Sequence, residues 1–176
     1  MPAILGIHSI KHLFALRVPS LIVLGWIVST ANAANFEGRV VGISDGDTIT
    51  ILDAANRQHK IRLSGIDAPE SHQPFGQKSK ANLSALVFNR QVGAQCTKTD
   101  KYRREICKVL VGGIDANLEQ VKAGMAWWYR HYASEQPRPD QEAYETAEFN
   151  AKIRRLGLWA DKNPPPPWDW RHGNRR

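Results

Sequence analysis

Five runs rich in β-branched residues, one helical stretch between the third and fourth, and two more helices after the fifth predict an α+β fold built on a five-stranded barrel of the OB type. The open face of such a barrel commonly holds nucleic acid. A chain of 176 residues suits one domain of modest core, and the sequence carries no internal repeat. Its 24 Lys+Arg against 17 Asp+Glu give +7, which favours an acidic partner but does not separate DNA or RNA from an anionic membrane.

Residues 1–33 read as a signal peptide. Lys11 and Arg17 precede an apolar run from Leu21 to Val28, and Ser29-Thr-Ala31-Asn32-Ala33 has the small-x-small pattern of a signal peptidase site, so cleavage is expected after Ala33. The apolar run is short for a span of about 20 residues, which makes an uncleaved anchor the lesser alternative. The mature domain, 34–176, is then expected to be exported, periplasmic or secreted, as a monomer without stable membrane association. It loses two cations and no acids, and stays basic at +5.

The first two strands, Phe36 to Ile43 and Thr48 to Leu52, are joined by Ser-Asp-Gly-Asp, a hairpin signal. Asp53-Ala-Ala-Asn56 turns the chain again. In the third strand His59, Ile61 and Leu63 share one face and Lys60, Arg62 and Ser64 the other, which sets Arg62 away from the apolar side. Gly76 to Asn89 has helical spacing through Ala81, Leu83, Leu86 and Val87. Strands are expected at Gln91 to Thr97 and Glu105 to Val111. Asp115 can cap a helix running through Leu118, Val121 and Met125, and Pro139-Asp140 opens another that ends at Gly157. From about residue 163 the tail Asn163-Pro-Pro-Pro-Pro-Trp168-Asp-Trp170 is expected to be extended and non-helical, with both tryptophans laid across the barrel or a helix.

Cys96 and Cys107 are equally distant from the turn at Thr99 to Arg104, so they face each other across a hairpin. In an oxidising compartment a disulfide is expected; the alternative is two buried free thiols.

The chemistry concentrates where two strands run into loops: Asp45-Gly-Asp47-Thr48 and Arg62-Leu-Ser-Gly-Ile-Asp67-Ala-Pro-Glu70. If the two ends are neighbours, Asp47 and Asp67 can bind one divalent ion with backbone carbonyls and water. All-oxygen, flexible coordination favours Ca²⁺ over Mg²⁺, and the histidines lack zinc-like spacing. Glu70 would orient or deprotonate a water for attack on phosphorus, and Arg62 with Arg104 would meet the phosphate through charge-assisted bonds. Taken singly, each acid also reads as a turn or strand-end residue and each arginine as a surface ion pair. Trp127-Trp-Tyr129-Arg130-His131-Tyr132 interleaves aromatics with a cation, a pattern that can stack bases at ~1–3 kcal/mol each, although most of these rings are expected in the core.

Four motifs in order, Asp45-Gly-Asp47-Thr48, Arg62-Leu-x-Gly-Ile-Asp67-Ala-Pro-Glu70, Asp100-Lys-Tyr-x-Arg104 and Asn117-x4-Lys122-x-Gly124-Met-Ala, make the sequence resemble the thermonuclease, or staphylococcal nuclease-like, family over nearly the whole mature chain. The resemblance implies an OB-fold barrel with three helices. It also implies that Asp47, Asp67 and the main-chain carbonyl of Ala68 hold Ca²⁺, that Glu70 acts on the attacking water, and that Arg62 and Arg104 stabilise pentacoordinate phosphorus. Lys101, Tyr102 and Tyr132 match residues near the bound nucleotide, while Arg130 stands where a second tyrosine would be. Arg103 replaces a glycine common in its turn. The implied activity is hydrolysis of DNA and RNA, single-stranded or flexible, without sugar specificity and with 3′-phosphate ends. A non-catalytic nucleic-acid or protein-binding module on the same fold is the alternative.

Overall fold

The computed structural model describes residues 35–173; the expected signal peptide lies outside them. Strand β1 (Asn35–Ile43) pairs antiparallel with β2 (Thr48–Leu52), which pairs with β3 (Gln58–Leu63). After the two-residue strand β4 (Ile66–Asp67) and helix α1 (Gly76–Val87), β5 (Gln91–Thr99) returns to the free edge of β1, and β6 (Glu105–Val111) folds back on β5. Parallel pairing of β3 with β6, Arg62 opposite Ile106 and Leu63 opposite Cys107, closes the five long strands into a barrel. The expected OB-type α+β architecture is therefore present. Alternation puts Ile49, Ile51, Ile61, Leu63, Cys107 and Val109 inside, all at most 1% exposed, and burial of each large apolar chain contributes about 1.5–3 kcal/mol.

Cys96 and Cys107 stand directly opposite each other and are joined by a disulfide. Closing this 11-residue separation stabilises the fold by about 2–4 kcal/mol relative to the reduced chain.

Short strand β7 (Ile114–Asp115) leads into α2 (Ala116–Lys122), which Asp115 caps by accepting from the N–H groups of Asn117 and Leu118. Helix α2 ends at Lys122, short of the expected Met125, because the chain turns left-handed at Gly124 (φ 65°), where a Cβ would sit 2.3 Å from the Leu156 carbonyl. Strand β8 (Trp127–Trp128) pairs with β4, and a 3₁₀ turn (Arg130–Glu135) precedes α3 (Arg138–Ile153). Helix α3 stops before the expected Gly157 because Arg155 turns left-handed at φ 52°, and a second 3₁₀ turn (Gly157–Ala160) follows.

Buried amides tie these layers together. Asn117, fully buried, accepts from the Val109 N–H at 3.1 Å and donates to the carbonyls of Ser64 at 3.0 Å and Cys107 at 3.1 Å. Asn117→Ala strands these backbone groups without water, at about 1–3 kcal/mol for each group left unpaired. Urea denaturation of the two proteins should show the loss as a lower midpoint; an unchanged midpoint would mean that water replaces the amide.

The tail corrects the sequence expectation. Pro164 to Pro166 precede a helix, α4 (Pro167–Gly173), so the Trp168-Asp-Trp170 stretch is helical rather than extended. Proline is tolerated at a first helical position, where its missing N–H has no partner to lose, and Asp169 places an acid in the first turn. Tertiary packing settles the matter: Trp168 stacks on Tyr129 with centroids 5.4 Å apart and planes at 10°, and meets Trp127 edge-on at 6.3 Å. There are four α-helices among the described residues, one more than expected.

Candidate active site

The Asp45-Gly-Asp47 turn is built for close packing. A Cβ on Gly46 would lie 1.9 Å from Ser79 Oγ, so only glycine lets the turn rest on α1. Asp45 Oδ1 accepts from the Asp47 N–H at 3.0 Å, and Gln120 on α2 donates to the Gly46 carbonyl at 2.6 Å. Asp47 is thereby fixed at 5% exposure. Its two oxygens accept from Thr48 Oγ1 at 3.0 Å and from the Ala68 N–H at 2.7 Å, so the two acidic motifs, whose proximity the sequence left as a condition, are in contact.

Arg62 leaves the outer face of β3 and bends over the following loop. It donates to the carbonyls of Leu63 and Ile66, both at 2.9 Å, and its Nη2 lies 2.8 Å from Asp67 Oδ1 and 3.2 Å from Asp47 Oδ2. Asp67 is almost wholly buried; Glu70, three residues on, is 40% exposed in its side chain. The Glu70 loop is held by its own backbone, whose N–H donates to Gln73 Oε1 at 3.1 Å.

Arg171 of α4 completes this cluster, and the sequence reading did not include it. Its Nη2 is 2.8 Å from Asp67 Oδ2, and its Nη1 is 2.8 Å from Glu70 Oε1 and 3.2 Å from Asp67 Oδ1. Burial alone would lower the Arg171 pKa, but the bonds to Asp67 and Glu70 outweigh it and raise the pKa. Tyr129, read only as part of an aromatic run, also belongs here: its N–H donates to the Gly65 carbonyl, and its hydroxyl pKa is raised by burial and by Asp67. The only available signal for Arg171 was its spacing from Trp168, three residues, which shares a face if the segment is helical.

The β5–β6 hairpin supplies the opposite wall. Arg104 lines the same cavity of about 960 Å³ as Asp47, Asp67, Glu70 and Arg62, but its guanidinium is bound to Asp100 at 2.8 Å and it touches neither Asp67 nor Glu70. Lys101 and Tyr102 extend from the hairpin tip, and Arg103 there adopts φ 62°, the left-handed conformation that a glycine would enter without strain. Tyr132 packs edge-on against Tyr129 at 5.2 Å and lines the cavity from the other side. Arg130 faces elsewhere: it lies over Trp128 and pairs with buried Glu148 at 2.7 Å.

Among the described residues no three His, Cys, Asp or Glu side chains form a metal cage. The donor set nevertheless fits one hard cation. Burial is the largest influence on the Asp47 carboxyl and pushes it up to about 8, Asp45 and Asp67 add to the rise, and Arg62 and the Ala68 N–H oppose it. A carboxyl pushed up mainly by burial would be drawn back to its ionised form by a divalent ion shared with Asp67, the remaining positions being filled by carbonyl oxygen and water.

The chain is 41% identical over 174 residues to a micrococcal nuclease of Shigella flexneri, covering 93% of this chain and 95% of that protein. It is 42% identical over 152 residues to an uncharacterized endonuclease of Haemophilus influenzae, covering 86% of this chain and 82% of that protein. Protein ParB of Escherichia coli is 35% identical over 161 residues, covering 85% of this chain and 88% of its own. The family model described as staphylococcal nuclease homologue matches residues 60–161, from the strand that carries Arg62 to the end of the second 3₁₀ turn. The chain belongs to the staphylococcal nuclease family.

Proposed function

We propose that the protein is an exported, Ca²⁺-dependent endonuclease that hydrolyses phosphodiester bonds of DNA and RNA without sugar specificity and leaves 3′-phosphate ends. The observation that carries this reading is the convergence of Asp47, Asp67, Glu70 and Arg62 on one cavity, with Arg104 on its far wall. Family membership and the nuclease and endonuclease names of its relatives support hydrolytic cleavage of nucleic acid. Export rests on the sequence of residues 1–33 alone.

In this reading Asp47, Asp67 and the Ala68 carbonyl would hold the cation. When bound it supplies Lewis-acid polarisation of a phosphoryl oxygen. Glu70, partly exposed at the cavity wall, takes a proton from the attacking water. Arg62 donates to the non-bridging oxygens, where negative charge grows as phosphorus becomes pentacoordinate, and Arg104 exchanges Asp100 for the phosphate. The water oxygen bonds to phosphorus, the P–O5′ bond breaks with its electron pair on O5′, which takes a proton from solvent, and the phosphate stays on the 3′ oxygen. Lys101, Tyr102 and Tyr132 frame the entrance, where cations and exposed rings favour a strand with unstacked bases.

Purified mature protein should cut single-stranded DNA and RNA in Ca²⁺ and lose this activity in excess chelator. Full activity in chelator would overturn the cation's role while sparing the nuclease assignment, and binding without cleavage in any divalent ion would identify a non-catalytic module instead.

A further inference from the structure

Arg171 occupies the two carboxylates on which the proposed chemistry depends. Both oxygens of Asp67 and one of Glu70 accept from its guanidinium, and Arg62 already donates to Asp67 Oδ1. The contact is held from two directions. Trp168, one helical turn before Arg171, stacks on Tyr129, and buried Gln73, whose Oε1 fixes the Glu70 backbone, donates through Nε2 to the Pro165 carbonyl. A segment packed this closely against the Glu70 loop delivers its arginine to one place.

That place is incompatible with a static ion pair. A divalent ion on Asp67 brings two positive charges against a guanidinium bonded to the same oxygens, and Arg171 on Oε1 of Glu70 leaves only Oε2 for the proton from water and lowers its basicity. The Arg171 side chain is 36% exposed and lines the cavity that also holds Arg62 and Arg104, so a small swing keeps it inside. The anion that enters this cavity with substrate is the phosphodiester.

We propose that Arg171 is a third phosphate-binding arginine of the active site, parked on Asp67 and Glu70 until cation and substrate arrive, and that α4 is part of the catalytic cleft. The inference rests on the nuclease reading and gives it a moving part. Arg171 stands in for the cation in the free protein and neutralises substrate in the complex. Charge-assisted bonds of this kind are the stronger class of protein hydrogen bond, and a guanidinium can exchange one two-oxygen partner for another without losing its fork geometry.

Two variants, Arg171→Ala and Arg171→Lys, test it against the wild type. Calorimetric titration of the metal-free proteins with Ca²⁺ should show Arg171→Ala binding the ion roughly 10-fold more tightly, because the internal competitor is gone. At saturating Ca²⁺ its kcat/KM on single-stranded DNA should nonetheless fall by about 10- to 100-fold, with partial recovery in Arg171→Lys. In a Glu70→Gln background, which holds substrate uncut, removing Arg171 should shrink the salt dependence of oligonucleotide binding by about 0.7 in log–log slope, one phosphate contact on a single strand. A rise in kcat/KM at saturating Ca²⁺ would show that Arg171 only blocks the site. Unchanged Ca²⁺ affinity and salt slope, with only a lower melting temperature, would reduce it to an anchor for α4. A wild-type protein that cleaves nothing would overturn the nuclease reading, whereas a wild type that cleaves beside an unaffected variant overturns this inference alone.

Discussion

Glu70→Gln is expected to lower turnover of single-stranded DNA by about 10²- to 10⁴-fold at saturating Ca²⁺, the range that positioned proton transfer contributes. Glutamine keeps the shape of the side chain and can accept a hydrogen bond, but it cannot carry a proton away from water. The fold should be untouched. The Glu70 side chain is 40% exposed, its loop is held by the backbone bond to Gln73, and a glutamine oxygen can still accept from Arg171. Single-turnover cleavage compared with thermal melting separates the two effects: a large drop in rate at unchanged melting temperature is expected, and a near-normal rate would remove Glu70 from the mechanism.

Arg62→Ala loses both activity and stability. Withdrawing a donor aimed at developing negative charge costs about 10²- to 10³-fold in turnover. Arg62 is also a structural cation, only 13% exposed, between two carboxylates that are 7% and 1% exposed in their side chains. Asp67 keeps Arg171, but Asp47 is left without Arg62 and the carbonyls of Leu63 and Ile66 lose their donor, at about 1–3 kcal/mol for each group left unpaired. On the proposed reading a divalent ion between Asp47 and Asp67 would supply positive charge to the same pocket, so Ca²⁺ should raise the melting temperature of Arg62→Ala more than that of the wild type. Arg62→Lys should recover stability better than turnover, since an ammonium restores charge but not the planar fork. Equal responses of wild type and Arg62→Ala to Ca²⁺ would separate the arginine from the cation pocket.

These two residues were legible in the sequence because their setting is local. Alternating burial in β3 fixes the side from which Arg62 emerges, and the tight turns on either side fix where Asp47 and Asp67 end. The barrel was legible for the same reason: period-two patterns and hairpin turns specify neighbouring strands. What escaped depends on partners far along the chain. Arg171 meets Asp67 across 104 residues and is positioned by a stack between Trp168 and Tyr129 that no local pattern announces. Four consecutive prolines argued for an extended tail, yet the last of them simply starts a helix that tertiary contacts stabilise. Arg104 is an intermediate case, since its arrival at the cavity follows from the hairpin but its bond to Asp100 does not.

The disulfide has a consequence for the rate of catalysis as well as for folding. Cys107 sits opposite Cys96, and its own carbonyl accepts from the Ser64 N–H at 2.8 Å and from Asn117. The disulfide braces the hairpin that carries Arg104, and the Ser64 bond, seconded by Asn117 bridging Cys107 and Ser64, joins that hairpin to the loop that carries Asp67 and Glu70. In effective-molarity language, the entropy of bringing the two walls together is spent when the chain folds and oxidises, not each time a strand enters. A substrate then meets two walls already in register, and only side chains such as Arg104 have to change partners.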